Sequence, residues 1–429
     1  MLNSNPLGRN FLFAASIALV FGVAIDCDAD AADGKVTVTF ANWAAAEGTT
    51  KPAIDEVIAD FEKAHPDIQI KSEAISFSEI ARQLALRVKS GNPPDVAQLA
   101  GNDTFVIAAT GKLEPLATYV SADLKARLKP DAVNGLLYQG NLIALPWTLA
   151  PAGFWYDKSV MSKAGLDPEK PPRTIDELTA AMAAIRKSQP DVIPLALDTT
   201  NRPFSLQSNW PWMATFGAVP IGSVKDRADS PEMKRYLAWM RDLAKKGYID
   251  PGRKIGEFRP LAAQDKVAFV WDQVLLQGVI QSANKMSDAD FYRRWGVTTQ
   301  PAGPSGKSYS FEGGHQLVMF ADSKQKKAAW TFIQYLAASP EAIKTYTLGP
   351  GSSLPPLSAA PSPELATKLD TPIYKSFTAN IVPTLMTPPF GPTFASASSA
   401  IMAGVQQAVT GSEPIDEIAN SIQQQLDRR

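Results

Sequence analysis

Lys35-Val-Thr-Val-Thr-Phe40, followed by Pro52-Ala-Ile54-Asp-Glu-Val57-Ile58-Ala-Asp-Phe61-Glu-Lys-Ala-His65, decides the fold class. The first piece alternates and is β-branched, the pattern of a strand. The second sets Ile54, Val57, Ile58 and Phe61 on one helical face. Between them Ala41-Asn42-Trp43-Ala-Ala-Ala-Glu47-Gly48 reads as a loop. Residues 68–75 predict a second strand. Residues 78–90 predict a second helix, with Ile80, Leu84 and Val88 at four-residue steps. A third strand over 94–99 runs into Gly101-Asn102-Asp103. Strand–helix–strand–helix–strand implies a parallel sheet in an α/β lobe.

The pattern repeats downstream. Thr174 and Glu177 are spaced as a capping box ahead of a helix reaching Ser188. Strands are predicted at 192–197, 266–271 and 295–299, and helices at 230–246, 323–339 and 414–426. Ala329, Phe332, Ile333 and Leu336 share a face of the 323–339 helix. Pro171-Pro172, Pro355-Pro356 and Pro388-Pro389 mark connections.

The chain has 429 residues, long enough for two or three domains and for a large core without disulfides or metals. Lys+Arg 42 against Asp+Glu 43 leaves a net charge of −1, with no basic stripe. A nucleic-acid partner is therefore not expected. There is one Cys (Cys27) and two His (His65 and His315), which excludes an intrachain disulfide and argues against a Cys/His zinc site. Tryptophan, by contrast, occurs nine times along the whole length.

The first residues read as an export signal. Arg9 precedes the apolar run from Phe11 to Ile25, and Ala29-Asp30-Ala31 supplies the small residues of a cleavage site. The run is short for a membrane span of about 20 residues. Asp26 before Cys27 disfavours a lipidation site. Cleavage after Ala31 would remove Cys27 and shift the net charge from −1 to +1. A soluble, cysteine-free exported chain is the expectation, suited to an oxidising periplasm.

Catalytic motifs are few. Gly303-Pro-Ser-Gly306-Lys307-Ser308 resembles the end of a phosphate-binding loop, but Pro301 stands where the first glycine belongs. There is no G-x-S-x-G elbow and no calcium-loop pattern. His65 follows a surface helix. A glycosidase carboxylate pair stays open, because the separation of two acids is not visible in sequence.

One segment is specific: Asn141-Leu-Ile-Ala-Leu-Pro146-Trp147-Thr148-Leu-Ala-Pro-Ala-Gly153-Phe-Trp155-Tyr156-Asp157-Lys-Ser-Val-Met161-Ser-Lys163. It resembles the signature of family-1 extracellular solute-binding proteins of ATP-driven importers, the group that includes maltose-binding protein. Pro146, Thr148, Gly153, Phe154, Tyr156, Asp157, Met161 and Lys163 fit that pattern, while Trp147 and Trp155 are larger than its usual aliphatics. Gly91-Asn-Pro-Pro-Asp95-Val, Gly111-Lys-Leu-Glu-Pro-Leu116, Lys266-Val-Ala-Phe-Val and Phe311-Glu-Gly313-Gly314-His315 resemble the same family in order, and the likeness spans residues 35–429.

The resemblance implies a two-lobed periplasmic-binding-protein fold (type II), α/β, with hinged lobes and a cleft between them. The N-lobe would comprise 32–147 plus 312–369 and the C-lobe 152–308 plus 370–429. Crossings are expected near 147–152, 309–314 and 367–374. It also implies a monomer that captures a carbohydrate, delivers it to membrane permease subunits and needs no cofactor or metal.

A sugar offers apolar faces and a belt of hydroxyls. Tryptophan suits the faces and fixed polar side chains suit the edges. Ligands sit beyond the carboxyl ends of strands in open α/β sheets. Candidate ligand contacts are therefore Trp43 and Glu47 after the first strand, Asn102 and Asp103 after the third, and Trp147 at the first crossing. Asn201, Arg202 and Trp210 lie in a proline/aromatic loop, with Trp212 nearby. Trp271 and Asp272 end the 266–271 strand, and Glu312, Gly313, Gly314 and His315 lie at the second crossing. Each tryptophan has a packing reading as well. Ala150 and Ser398-Ser399 depart from the maltose-binding pattern, leaving Phe390 and Phe394 as substitutes for its last aromatic pair. Two alternatives stay open: a non-sugar solute such as a polyol, glycerol phosphate or peptide, and an exported carbohydrate-active enzyme.

Overall fold

A computed structural model describes residues 34–222, 225–350 and 353–429. The expected signal segment lies outside the described residues. Among them no helix is long and apolar enough to cross a membrane.

Among the described residues, eleven strands form two main sheets and one small hairpin. Strands β1 (Val36–Asn42), β2 (Ile68–Ala74) and β3 (Val96–Ala100) come first. The hairpin β4 (Leu137–Tyr138) and β5 (Asn141–Leu142) follows, then β6 (Leu145–Pro146). Next come β7 (Ala152–Asp157), β8 (Ile193–Ala196), β9 (Val267–Gln273), β10 (Trp295–Thr298) and β11 (His315–Met319). One sheet has the order β2-β1-β3-β11-β6 and the other β10-β7-β9-β8. The first three strands are parallel, as their alternation with helices implied, and antiparallel strands added to each sheet make both mixed. β1 runs parallel to β2 and β3, and β8 to β9, but β11 and β7 pair antiparallel with their neighbours. The antiparallel strands are those that enter from the other half of the molecule.

The helices form as their apolar spacing dictates. Lys51–Ala64 buries Ala53, Ile54, Val57, Ile58 and Phe61 on one face against the first sheet's core. Lys326–Ala338 buries Ala329, Phe332, Ile333 and Leu336 in the same core. Thr174 caps Ile175–Ser188 by accepting from the Glu177 N–H at 3.2 Å, and the Glu177 carboxylate accepts from the Arg173 N–H at 2.7 Å. The second sheet is covered on both sides. Phe154 and Tyr156 point into one core and Trp155 into the other, as the two-residue strand period requires.

The chain passes between the sheets after Pro146 and returns before His315. The two passages hydrogen-bond to each other: Trp147 N–H donates to the His315 carbonyl (2.8 Å), His315 N–H to that of Thr148 (3.1 Å), and Ala152 N–H to that of Phe311 (3.1 Å). Leu149 exchanges two further bonds with Leu354 (2.8 and 2.7 Å), adding a third segment. A Cβ on Gly314 would sit 2.0 Å from the Thr148 carbonyl oxygen, so only glycine lets these backbones lie so close. Further on, Leu365 joins the first sheet's core and Ile373 and Phe377 the second's.

Candidate functional site

The carboxyl ends of β1 and β3 and the start of β11 meet at one edge of the first sheet, where Gln98 organises the surroundings. Gln98 is fully buried on β3. Its Oε1 accepts from the N–H groups of Trp43 (3.1 Å) and Ala44 (3.2 Å), fixing the turn after β1. Its Nε2 faces His315 Nδ1 at 3.0 Å and must be the donor there. Burial lowers the His315 pKa to about 4, so the ring is neutral at pH 7. With Nδ1 accepting, the ring hydrogen sits on Nε2.

Aromatic rings frame this imidazole. Trp43 meets it edge-on at 4.9 Å and also meets Phe77, which is exposed. Trp147 lies 6.1 Å away and stacks on Tyr346 at 4.5 Å and 11°. The Trp43 and Trp147 indole N–H groups and His315 Nε2 have no protein partner among the described residues.

Glu47, in the same turn, has its pKa raised by burial, with Arg259 across the cleft pulling it back. Asp103, in the first turn of helix Asn102–Ala108, is pushed up to about 6 by burial and has no partner among the described residues. Asn102 is already engaged: its Oδ1 accepts from the Gly391 N–H at 2.9 Å.

The opposite wall is built differently. Residues 203–215 form a helix, Pro203–Thr215, and not the expected loop. Pro203 opens it and Pro211 lies inside it. Arg202, its N-cap residue, donates to Thr200 Oγ1 (2.9 Å) and Asp198 Oδ2 (2.5 Å), and Asn201 donates to the Ser399 carbonyl (3.2 Å). Arg202 is thus engaged at the start of this helix, and Asn201 ties it to the helix Phe394–Thr410. Trp210 and Trp212 are buried in this helix, and Trp212 contacts Trp239 and Trp271.

Trp271 lies inside β9, which continues to Gln273, and does not end the strand. It is 1% exposed, and its indole donates to the Ser208 carbonyl at 3.0 Å. That makes it a packing residue. Asp272 is equally buried and grips Arg259 with two bonds (2.7 and 3.0 Å). Burial opposes the charge of Arg259, but Asp272 and Glu47 outweigh it and raise its pKa. Asp272 thus reaches the cleft through Arg259. Phe394 is likewise buried in the second sheet's core and supplies no cleft surface.

Glu312 joins the walls. Its Oε1 accepts from the N–H groups of Ala150 (2.7 Å) and Gly314 (2.6 Å), and its carbonyl accepts from Gln207 Nε2 (2.6 Å). Oε2 is sealed without a partner, and burial pushes the carboxyl up to about 7. Gly313 makes room for Gln273, whose Nε2 donates to the Ala150 carbonyl (3.1 Å) and would sit 2.2 Å from a Cβ. Glu312 and Gly313 are therefore hinge fasteners.

Sequence reasoning missed Gln98, Gln207, Arg259, Gln273 and Tyr346. The signal for Gln98 was present: a lone amide in the apolar strand Val96-Ala-Gln-Leu-Ala100. Among the described residues no cluster of His, Cys, Asp and Glu could hold a metal.

Residues 45–343 match the family model of the bacterial extracellular solute-binding proteins, well over half of the chain. The chain belongs to that family. A Brucella abortus binding protein is 25% identical over 335 residues, covering 74% of this chain and 76% of its own. A maltotriose-binding protein of Pyrococcus abyssi is 23% identical over 339 residues, covering 76% and 67%. An ABC-transporter solute-binding protein of Thermotoga lettingae, solved with α-D-tagatose, superposes with a TM-score of 0.78 at 22% identity, covering 92% and 100%. The fold is that of the two-lobed periplasmic sugar-binding proteins, and the protein is a bacterial extracellular solute-binding protein. In this solute-binding protein three contacts link residues around the two sheets: Asn102 bonds Gly391, Gln207 bonds Glu312, and Phe105 contacts Phe390 at 5.7 Å.

Proposed function

We propose that the protein captures a neutral carbohydrate between its lobes in the periplasm and presents it, as a monomer, to a membrane permease, without chemical change. The observation that carries this reading is the wall around His315. Trp43 offers an aromatic surface for a sugar face, and His315 Nε2–H, held by Gln98, is a fixed donor for a hydroxyl. Asp103 is an acceptor without a partner. A sugar supplies groups of all three kinds. Relatives named for maltotriose and solved with tagatose agree with the assignment.

Charge separates the sugar from the phosphorylated alternative. A phosphate needs free cationic donors. Arg202 is bound to Asp198, Arg259 to Asp272 with Glu47 acting on it, and Lys129 acts on the Glu312 carboxyl.

A thermal-shift panel of sugars, polyols, sugar phosphates and amino acids tests this reading. A carbohydrate at a hundred times its dissociation constant should add about 2.7 kcal/mol of stability. Stabilisation by a phosphoester or a peptide, with none by any carbohydrate, would sink it.

A further inference from the structure

The segment between Leu385 and Phe394 straps the two lobes together. At one end it is tied to the second crossing: Ser310 N–H donates to the Thr384 carbonyl (2.9 Å) and Met386 N–H to that of Ser310 (2.8 Å). At the other end it runs into helix Phe394–Thr410 of the second lobe. Pro388, Pro389 and Pro392 stiffen it. Its middle leaves that lobe and sits on the first. Phe390 packs against the cores of both lobes, lying 5.7 Å from Phe105 and 5.0 Å from Phe394. The Gly391 N–H takes the Asn102 oxygen. Helix Asn102–Ala108 starts just past the carboxyl end of β3, the side on which a ligand of an α/β sheet extends. Phe390 therefore occupies space into which a longer ligand would grow.

Resting on the carbohydrate reading, we propose that Phe390 is a stopper that sets ligand length: the closed protein takes a mono- or disaccharide and rejects longer chains at this end. The discrimination arises on closing. A short ligand lets Phe390 reach Phe105 and Gly391 reach Asn102. A third sugar unit holds the strap away, so that ligand loses the closed form's extra affinity. Stiffness matters, because a flexible strap would move aside at little cost. Phe390 thus acts on specificity through excluded space and offers the sugar no stacking surface. Its ring contacts are with Phe105 and Phe394, which stand outside the network of Trp43, Gln98 and His315.

Calorimetric titration of the full exported chain with glucose, maltose, maltotriose and maltotetraose, and with mannose, mannobiose and mannotriose, tests this. Wild type should bind the best mono- or disaccharide at least about tenfold more tightly than its trisaccharide. Phe390→Ala should bring that ratio close to one, weakening the short ligand, which loses the closing contact with Phe105, more than the trisaccharide. Phe390→Leu, which keeps more of the packing, should fall between, and circular dichroism checks that both variants fold. A trisaccharide bound by wild type as tightly as the short sugars overturns the stopper but leaves the carbohydrate reading standing. A length preference unchanged in both variants also overturns it. Failure of every sugar in both series, against stabilisation by a phosphoester or peptide, overturns the carbohydrate reading and the stopper with it.

Discussion

The two walls of the cleft use the same residue types for opposite purposes. On the first sheet's side, Trp43 and His315 keep an N–H without a protein partner and Gln98 is spent on orienting them, while Trp147, 1% exposed, packs on Tyr346. On the second sheet's side, most of the large polar side chains are satisfied internally or sealed away, with Trp210, whose indole N–H has no partner among the described residues, as the exception. Trp271 bonds Ser208, Trp155 bonds the Asp272 carbonyl, Asp272 bonds Arg259, and the indoles of Trp212 and Trp295 are buried. A buried donor that already has its acceptor cannot gain by binding a ligand, because it would exchange one bond for another. On the proposed function, the first wall would supply specific polar contacts and the second mainly rigidity.

The largest effect should come from attacking the rigid wall. Trp271→Ala removes a fully buried indole between Trp212 and Phe311 and frees the Ser208 carbonyl. It should cost about 3–5 kcal/mol of stability, read by chemical denaturation. A loss of ligand affinity with stability unchanged would place Trp271 on the binding surface instead.

The hinge acid that serves both walls should give the next effect. Burial raises the Glu312 carboxyl from its ordinary 4.5 to about 7, so the folded protein binds its proton more tightly than the unfolded chain does. That contribution is fully present below pH 4.5 and is lost as pH rises through 7. Glu312→Gln keeps an oxygen for Ala150 and Gly314 and cannot ionise. Between pH 4.5 and 8, stability should shift in the variant's favour by on the order of 3 kcal/mol. His315 runs the other way: its folded pKa near 4 gives stability that is present above its unfolded value and lost as pH falls through 4. Comparing variant with wild type at each pH cancels that contribution. A difference that stays flat with pH would mean that Glu312 is ionised in the folded protein.

The contrast between the walls also explains how much of the molecule is legible in its amino-acid sequence. Periodicity marks the strands and helices around Trp43, Phe61, Thr174 and Phe332, because burial on one face imposes a repeat on the chain. Pro203 and Pro211 make the helix Pro203–Thr215 look like a loop. The first sits where a helix tolerates proline, and the second is held by burial on all sides. Strand-end position brings Trp43, Glu47, Asn102 and Asp103 to notice. It cannot show that Asn102 is taken by Gly391, a residue 289 positions away, or that Trp271 turns its indole to Ser208. Those outcomes depend on which partner a polar atom meets after folding, and chain spacing carries no trace of that.

The most direct test is calorimetric titration of the best carbohydrate ligand into Trp43→Ala and Trp271→Phe alongside wild type. Trp43→Ala removes the aromatic surface beside His315 and should weaken binding by about tenfold, about 1.4 kcal/mol, besides costing stability, because Trp43 is only 4% exposed and packs in the first sheet's core. Trp271→Phe should bind as wild type does while unfolding more readily. The reverse pattern, with affinity lost in Trp271→Phe and kept in Trp43→Ala, would contradict the assignment of the first wall as the one that recognises the ligand.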